Sequence, residues 1–483
     1  MQVIFIIIVA YLAVIFAVGI YASRYVRDST DFLLAGQRLG PVLLIGTLAA
    51  THLGGGFVVG ISESSYETGM SGISYAIGLG LGLVLLGLVV AGPMRSLAIF
   101  TVPDYLEHRY GSKLVRALAA LLSLVAIVGI IAAQVGATAG ALGIMGVSPQ
   151  TGAIVATVLF IVYTAASGMW GVTLTDGIQV LVILFGMPIA AILALQQMGG
   201  LGALQEGIAQ AEIGLSASEF LSPLGGGWSL LLGATVPAIM YTLIGQDFYQ
   251  RLLSARDART ARLGALVSGV VLVALGIFPA LIGIAARLLY PELADSAQAL
   301  PTLVTEVLPV WAGAVIVAAI VAAVTSTANS LLTAGTSHIV NDIYKHLLGG
   351  EDDTRKMLAL SRVFTLVLGV AALLFAIAAS GIIDALIYSY TMYASGVFVP
   401  VVAGLLWWRG TAAGAVAGIA AGAIAGLLGV TGLVSYGGVP EIMVGGLASL
   451  AAYVAVSLLT KPNTPGEHSE PPRSETEKPS EVV

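Results

Sequence analysis

Thirteen long apolar stretches follow one another along the 483 residues, and no other feature constrains the fold so tightly. Windows of about 19 residues put them near 3–22, 41–61, 72–93, 115–142, 150–167, 172–195, 228–246, 262–286, 309–336, 358–380, 382–407, 411–430 and 440–460. So many helix-length segments cannot fold around one aqueous core. Only 10% of residues are charged, against about 25% in an ordinary soluble domain. The sequence therefore predicts an all-α polytopic membrane protein.

Charge placement gives the orientation. No basic residue precedes the first stretch, while Arg24 and Arg27 follow it, so it reads as a true span with the N-terminus outside rather than as a signal peptide. Thirteen crossings then bring all of the 20 Lys and Arg except Arg287 to the inner side, as the positive-inside rule requires, with the C-terminus cytoplasmic. The longest outer loop, near 196–227, carries Glu206, Glu212 and Glu219 without a basic residue. From Lys461 the chain is rich in proline and alternating charge, which predicts a disordered cytoplasmic tail over 461–483. With no cysteine there is no thiol catalysis, thiolate metal site or disulfide, and a net charge of −6 argues against a nucleic-acid partner. The segment TAAGAVAGIAAGAIAGLLG from Thr411 is spaced for close helix contact.

Polar groups at membrane depth are the candidates for function. Asp176 lies early in the sixth span with Gln179 one turn later; it is either a first-turn carboxylate favoured by the helix dipole or an ion ligand. In the ninth span, Ala323, Ser326, Thr327 and Ser330 share one helical face, and Thr325 and Asn329 thicken the polar cluster. Hard oxygen donors without a full set of carboxylates suit a weakly bound monovalent cation. In the second span, Gly54, Gly55 and Gly56 in succession weaken the helix, and freed carbonyls or N–H groups there could meet a cation or an anionic solute. Close packing is the alternative use of three glycines, and His52 beside them is either a solute contact, a proton-sensitive group or a satisfied polar residue.

Span parity suggests two inverted repeats of five spans, since spans 2–6 and 7–11 enter the bilayer from opposite sides. The glycine break in the second span has a counterpart in the seventh, where Pro237 removes a backbone donor.

The sequence resembles the sodium/solute symporter family over residues 1–460. The likeness rests on DFLLAGQRLGP, SGMWGVTLTDGIQ, GQDFYQRLLSARDA, AAIVAAVTSTANS with NDIYK, and GLLWWRGTAAGAVAG, in that order on a thirteen-span frame. It implies a leucine-transporter-like membrane domain over 1–460, with a leading helix at 3–22, repeat one at 41–195, repeat two at 228–407 and trailing helices at 411–460. It implies a sodium site on the carbonyls of Ala50, Leu53 and Ala323 with the hydroxyls of Ser326 and Thr327. A second sodium site, present in some members, would use Asp176, Asn329 and Ser330 with Ser326; here asparagine stands where serine occurs in members that have it. Tyr241 is similar to the aromatic that covers solute from the inner side. Phe57 and Ala238 replace the polar amides of sugar-carrying relatives, which disfavours a sugar. His52, Gly55, Gly56, Phe57, Tyr241 and Tyr390 are then the solute contacts, Tyr388 and Tyr393 being further tyrosines of the eleventh span, and a small amino acid or organic acid is the expected cargo.

Sodium-coupled symport by alternating access is the resulting expectation, with Na⁺, a small solute and the plasma-membrane bilayer as partners. Proton coupling through Asp176 or His52, and a sugar or polyol as cargo, are the alternatives on the same frame. A channel lacks a repeated filter or charged ring, and an enzyme lacks a metal cluster, phosphate loop or nucleophile with a base.

Overall fold

The computed structural model describes residues 2–461 apart from 98, 144–145, 211–215, 294, 351–352 and 379–381, and gives the backbone alone for 2–5, 8, 96, 210 and 382–388. All but Lys461 of the expected disordered tail lies outside the described residues. Among these residues every element is helical, apart from one isolated parallel bridge between Leu39 and Ala255.

The helices that position the site are α1 (Gln2–Ala22), α2 (Pro41–His52), α3 (Ile61–Thr68), α4 (Ser74–Leu85), α5 (Val102–Tyr110), α6 (Lys113–Gly143) and α7 (Pro149–Gln197). After them come α8 (Gly227–Thr242), α9 (Gln246–Ser254), α10 (Ala258–Leu289), α11 (Val310–Ser337), α12 (Thr354–Ala378), α13 (Ile382–Leu406), α14 (Ala412–Val430) and α15 (Glu441–Leu459). Their starts are legible locally. Thr101, Ser148, Asp257 and Thr411 each accept a backbone N–H of the first turn with the side chain, which satisfies one of the donors a helix leaves free. Pro41 opens α2, where its missing N–H has no partner to lose.

Among the described residues, nine helical stretches are long and apolar enough to cross a membrane, and α8 with α9, bent by 48° across their junction, makes a tenth. Two of the nine fold back on themselves. In α7, Gly168 takes φ 51° and ψ −148°, and the Tyr163 and Thr175 hydroxyls on either side come within 2.7 Å. Twelve residues of unbroken helix would hold them about 18 Å apart. A Cβ at Gly168 would stand 2.6 Å from the Phe32 carbonyl, so both φ and space demand glycine there. The chain reverses in the same way at Gly69, between α3 and α4.

Helix α11 is the axis of the molecule. Of its most apolar window 83% is buried, against 28% for α12 and α15, whose exposed Leu374 and Leu447 belong to the outer apolar surface. The glycine stripe of α14 packs as its spacing predicts: a Cβ at Gly422 would lie 2.0 Å from the Ser395 carbonyl of α13.

Two expectations need correction. Pro237 does not interrupt the seventh span, since it sits inside continuous α8; the break falls at 243–245, before α9. Nor are all the inner-side basic residues at an aqueous surface. Arg251 and Arg116 have 0% and 1% of their side chains exposed, because each is held by carboxylates inside the protein. Counting charge by span parity does not distinguish a buried guanidinium from a cytoplasmic one.

Candidate functional site

Helix α2 ends at His52. Leu53 leaves helical geometry at ψ 43°, and the chain resumes as a π-turn at Gly56–Gly60 before α3. This is the break that three adjacent glycines predict. Irregular backbone at that depth persists only when buried in protein or facing a polar cavity, and α6 and α11 pack against it through Gln134, Ala137, Val324 and Thr327.

The Ser326 hydroxyl donates to the Ala50 carbonyl (3.1 Å) and the Ala323 carbonyl (2.8 Å). The Thr327 hydroxyl donates to the Thr51 carbonyl (3.2 Å) and again to Ala323 (3.1 Å). A Cβ at Gly54 would meet the Thr327 hydroxyl, so glycine lets the two elements approach. Ala50, Ala323, Ser326 and Thr327 therefore converge between α2 and α11. Leu53 is fully buried at the break beside them, and its N–H bonds back to Ala49 and Ala50. Rotating either hydroxyl proton turns oxygen lone pairs toward a shared cation, so the cluster offers neutral, hard oxygen donors of the kind a monovalent alkali ion accepts.

Asp176, Asn329 and Ser330 lie nearby in a different arrangement. Arg251 of α9 ion-pairs with Asp176 Oδ2 at 3.1 Å and donates from the same Nη2 to the Ser330 hydroxyl. Thr47 also donates to Asp176 Oδ2, at 2.5 Å, and receives Arg251 Nε on both its hydroxyl (2.9 Å) and its carbonyl (3.0 Å). Asn329 Oδ1 accepts from Thr164 at 3.1 Å. Arg251 thus contacts two of the residues of the second-ion reading, Asp176 and Ser330.

A vestibule of about 1290 Å³ opens on the face carrying Glu63 and Asp295 and reaches inward to Gly55, Gly56, Gln134, Tyr75 and Tyr390. Gly56, Gln134, Tyr75 and Tyr390 also wall a small inner cavity of about 30 Å³, completed by His52, Phe57, Tyr241, Asp247, Phe248 and Thr327. Each solute contact expected from the sequence lines one or both spaces. Gly55 N–H donates to Gln134 Oε1 at 3.3 Å, and the His52 ring bonds Thr242 at 3.1 Å while stacking on Phe248. Tyr241 packs edge-on to Tyr390 with centroids 4.4 Å apart. Tyr393 donates to the Ile244 carbonyl at 2.7 Å, bracing the break between α8 and α9. The side chain of Tyr388 lies outside the described residues.

At the opposite end of α6 from the vestibule, charged side chains form a network. Arg116 of α6 pairs with Asp342 (2.7 Å), Glu107 (2.6 Å) and Asp104 (3.1 Å), and Asp342 also receives Thr101 and pairs with His338. Burial raises the Asp104 carboxyl above the usual carboxylate range, against the opposing pull of Arg116.

The sequence matches the sodium:solute symporter family over residues 32–422. The chain belongs to that family. Relatives of this symporter include the sodium/pantothenate symporter of Escherichia coli, 28% identical with 92% of this chain and 94% of the relative covered. The osmoregulated proline transporter of Bacillus subtilis is 24% identical, with 93% and 94% covered. Among solved structures, a Na⁺-coupled sialic acid symporter in a substrate-bound outward-open state superposes with a TM-score of 0.84 at 23% identity, covering 95% of this chain and 98% of that one. A nucleobase-cation-symport-1 transporter gives 0.59 at 15% identity, covering 90% and 95%. The fold is therefore the leucine-transporter type that the symporter's resemblance implies.

Four residues that shape the symporter's site were not singled out from sequence: Gln134, Tyr75, Asp247 and Arg251. The last two sit in GQDFYQRLLSARDA, and their spacing of four residues, one helical turn, was the available signal.

Proposed function

We propose that this chain imports a small organic solute together with Na⁺ across the plasma membrane by alternating access. The reading rests above all on the meeting of the α2 break with the hydroxyl face of α11. Sodium bound by Ala50, Leu53, Ala323, Ser326 and Thr327 draws the broken segment onto the axial helix, and this completes the wall of the inner cavity next to Gly54, His52 and Phe57. The vestibule face is then the outer one, and the Arg116–Asp342 network closes the cytoplasmic side. The topology is thirteen crossings with the N-terminus outside, repeats at 41–195 and 228–407, and a C-terminal tail in the cytoplasm. An amino acid or organic acid is the cargo. Arg251 neutralises Asp176, so one sodium ion accompanies each solute.

The driving force is sufficient. For a cargo without net charge, such as a zwitterionic amino acid, the one sodium charge crossing about 100 mV yields ~2.3 kcal/mol, and a tenfold sodium gradient adds ~1.4 kcal/mol. Together they support accumulation of several hundredfold, at about 1.4 kcal/mol per decade. Uptake into proteoliposomes under imposed gradients tests the reading. Concentrative uptake that needs inward sodium supports it, and accumulation driven by a pH step without sodium overturns the choice of ion.

A further inference from the structure

The inner cavity holds a carboxylate that the sodium reading does not use. Asp247 opens α9 and is only 3% exposed. Its Oδ1 accepts the Tyr241 hydroxyl at 3.2 Å, and its side chain lines the cavity. A buried charge is costly unless paired. The nearest guanidinium is committed elsewhere: Arg251 sends Nε to Thr47 and Nη2 to Asp176 and Ser330, and it meets Asp247 at the main-chain carbonyl, at 2.9 Å. Among the described residues Asp247 forms no ion pair. Two carboxylates and one guanidinium leave this buried group with one surplus negative charge. The sodium ligands are neutral oxygens on α2 and α11, whereas Asp247 faces aromatic rings: Tyr241 lies edge-on both to Tyr390 at 4.4 Å and to Phe248 at 6.0 Å. A carboxylate set among aromatic rings suits an organic cation, which gains from ring faces as well as from the counter-charge.

We propose that Asp247, with Tyr241, Tyr390 and Phe248, receives a positively charged nitrogen of the transported solute, so the cargo is a small amine- or ammonium-bearing compound rather than a simple organic acid. This rests on the sodium-coupled uptake proposed above. It sets aside the simple organic acid of that proposal and keeps solutes with a cationic nitrogen, amino acids among them. Where the solute also carries a carboxylate, the side-chain amide of Gln134 lines the same cavity and can donate to it.

Matched pairs that differ in the positive charge test the assignment. The purified full-length protein in 100-fold excess sodium over its half-effect concentration is melted with choline or its uncharged isostere 3,3-dimethylbutan-1-ol, proline or tetrahydrofuran-2-carboxylate, and glycine betaine or 3,3-dimethylbutanoate. The cationic or zwitterionic member of at least one pair raises the melting temperature and its partner does not. For that member, Asp247→Asn raises the dissociation constant at least tenfold while the sodium-induced melting shift stays as in the wild type, which also shows that the variant is folded; Asp247→Glu retains part of the binding. The assignment is overturned if no positively charged member stabilises the protein, if the uncharged or anionic partners stabilise it equally, or if Asp247→Asn changes the sodium response and leaves solute binding alone. Sodium-driven uptake of anions only would refute this assignment and leave the symport reading standing, whereas absence of any sodium dependence would refute the symport reading itself.

Discussion

Replacing Asp176 by Asn removes one charge from a pair whose atoms lie 3.1 Å apart with both side chains fully buried. At an effective dielectric of ~20 the attraction at that distance is ~5 kcal/mol. Removing one partner of a buried pair costs about 3–5 kcal/mol because the other charge is left uncompensated. Arg251 would keep Thr47, Ser330 and the Asp247 carbonyl as acceptors, and an asparagine still accepts from Thr47, so the expected loss is near the lower limit, about 3 kcal/mol. Equilibrium unfolding in mixed micelles with increasing SDS measures it. Arg251→Gln alone should destabilise by more, because it leaves the buried Asp176 and Asp247 carboxylates both without a guanidinium. The double variant should be more stable than the sum of the two losses implies, by about 2 kcal/mol. A coupling below ~0.5 kcal/mol would refute the claim that the two charges hold one another. The sodium dependence of uptake provides a second readout. If the guanidinium neutralises Asp176, Asp176→Asn leaves the steepness of the sodium titration unchanged; a fall in steepness would mean that a second ion binds there.

Ser326→Ala and Thr327→Ala each remove one donor oxygen from the α2–α11 cluster, and each should raise the sodium concentration for half-maximal uptake by roughly tenfold, equivalent to ~1.4 kcal/mol. An unchanged sodium titration in both variants would remove the proposed ligand face. Gly168→Ala forces a Cβ against the Phe32 carbonyl at positive φ and should destabilise by at least ~1 kcal/mol, read as a lower melting temperature in detergent; equal melting would show that the turn relaxes. Asp342→Asn should loosen the cytoplasmic closure. Because the chain has no cysteine, an Ala334→Cys probe can report this as thiol labelling faster by about tenfold or more, an opening of ~1.4 kcal/mol, and equal labelling rates would contradict the role given to Arg116 and Asp342.

The helix succession was legible because hydrocarbon demands long apolar segments, and the α2 break because three adjacent glycines weaken a helix, although the same glycines also serve close packing against Thr327. The Ser326 and Thr327 face followed from helical period alone. Other features escaped for physical reasons. Pro237 was read as a break, yet a helix tolerates proline where neighbouring elements satisfy the freed carbonyl, and the real interruption at Gly245 has no run of glycines to mark it. Arg251 counted as a cytoplasmic charge since sequence shows a residue's position along the chain and not the carboxylate that packs against it 75 residues away. Asp247 was passed over for the same reason: its meaning comes from Tyr241 and Tyr390, and only the fold brings those rings to it.

Leu39 bonds through its main chain to both Ser254 (3.0 Å) and Arg256 (3.0 Å), tying the strand of chain ahead of α2 to the end of α9. The two interrupted segments therefore share a common footing on the side away from the vestibule. Like a lever with two arms on one pivot, a tilt of either segment strains the two bonds that tie it to the other. In the proposed cycle, a displacement begun by sodium at α2 would reach Asp247 and Arg251 through this junction, coupling ion and cargo without contact between them.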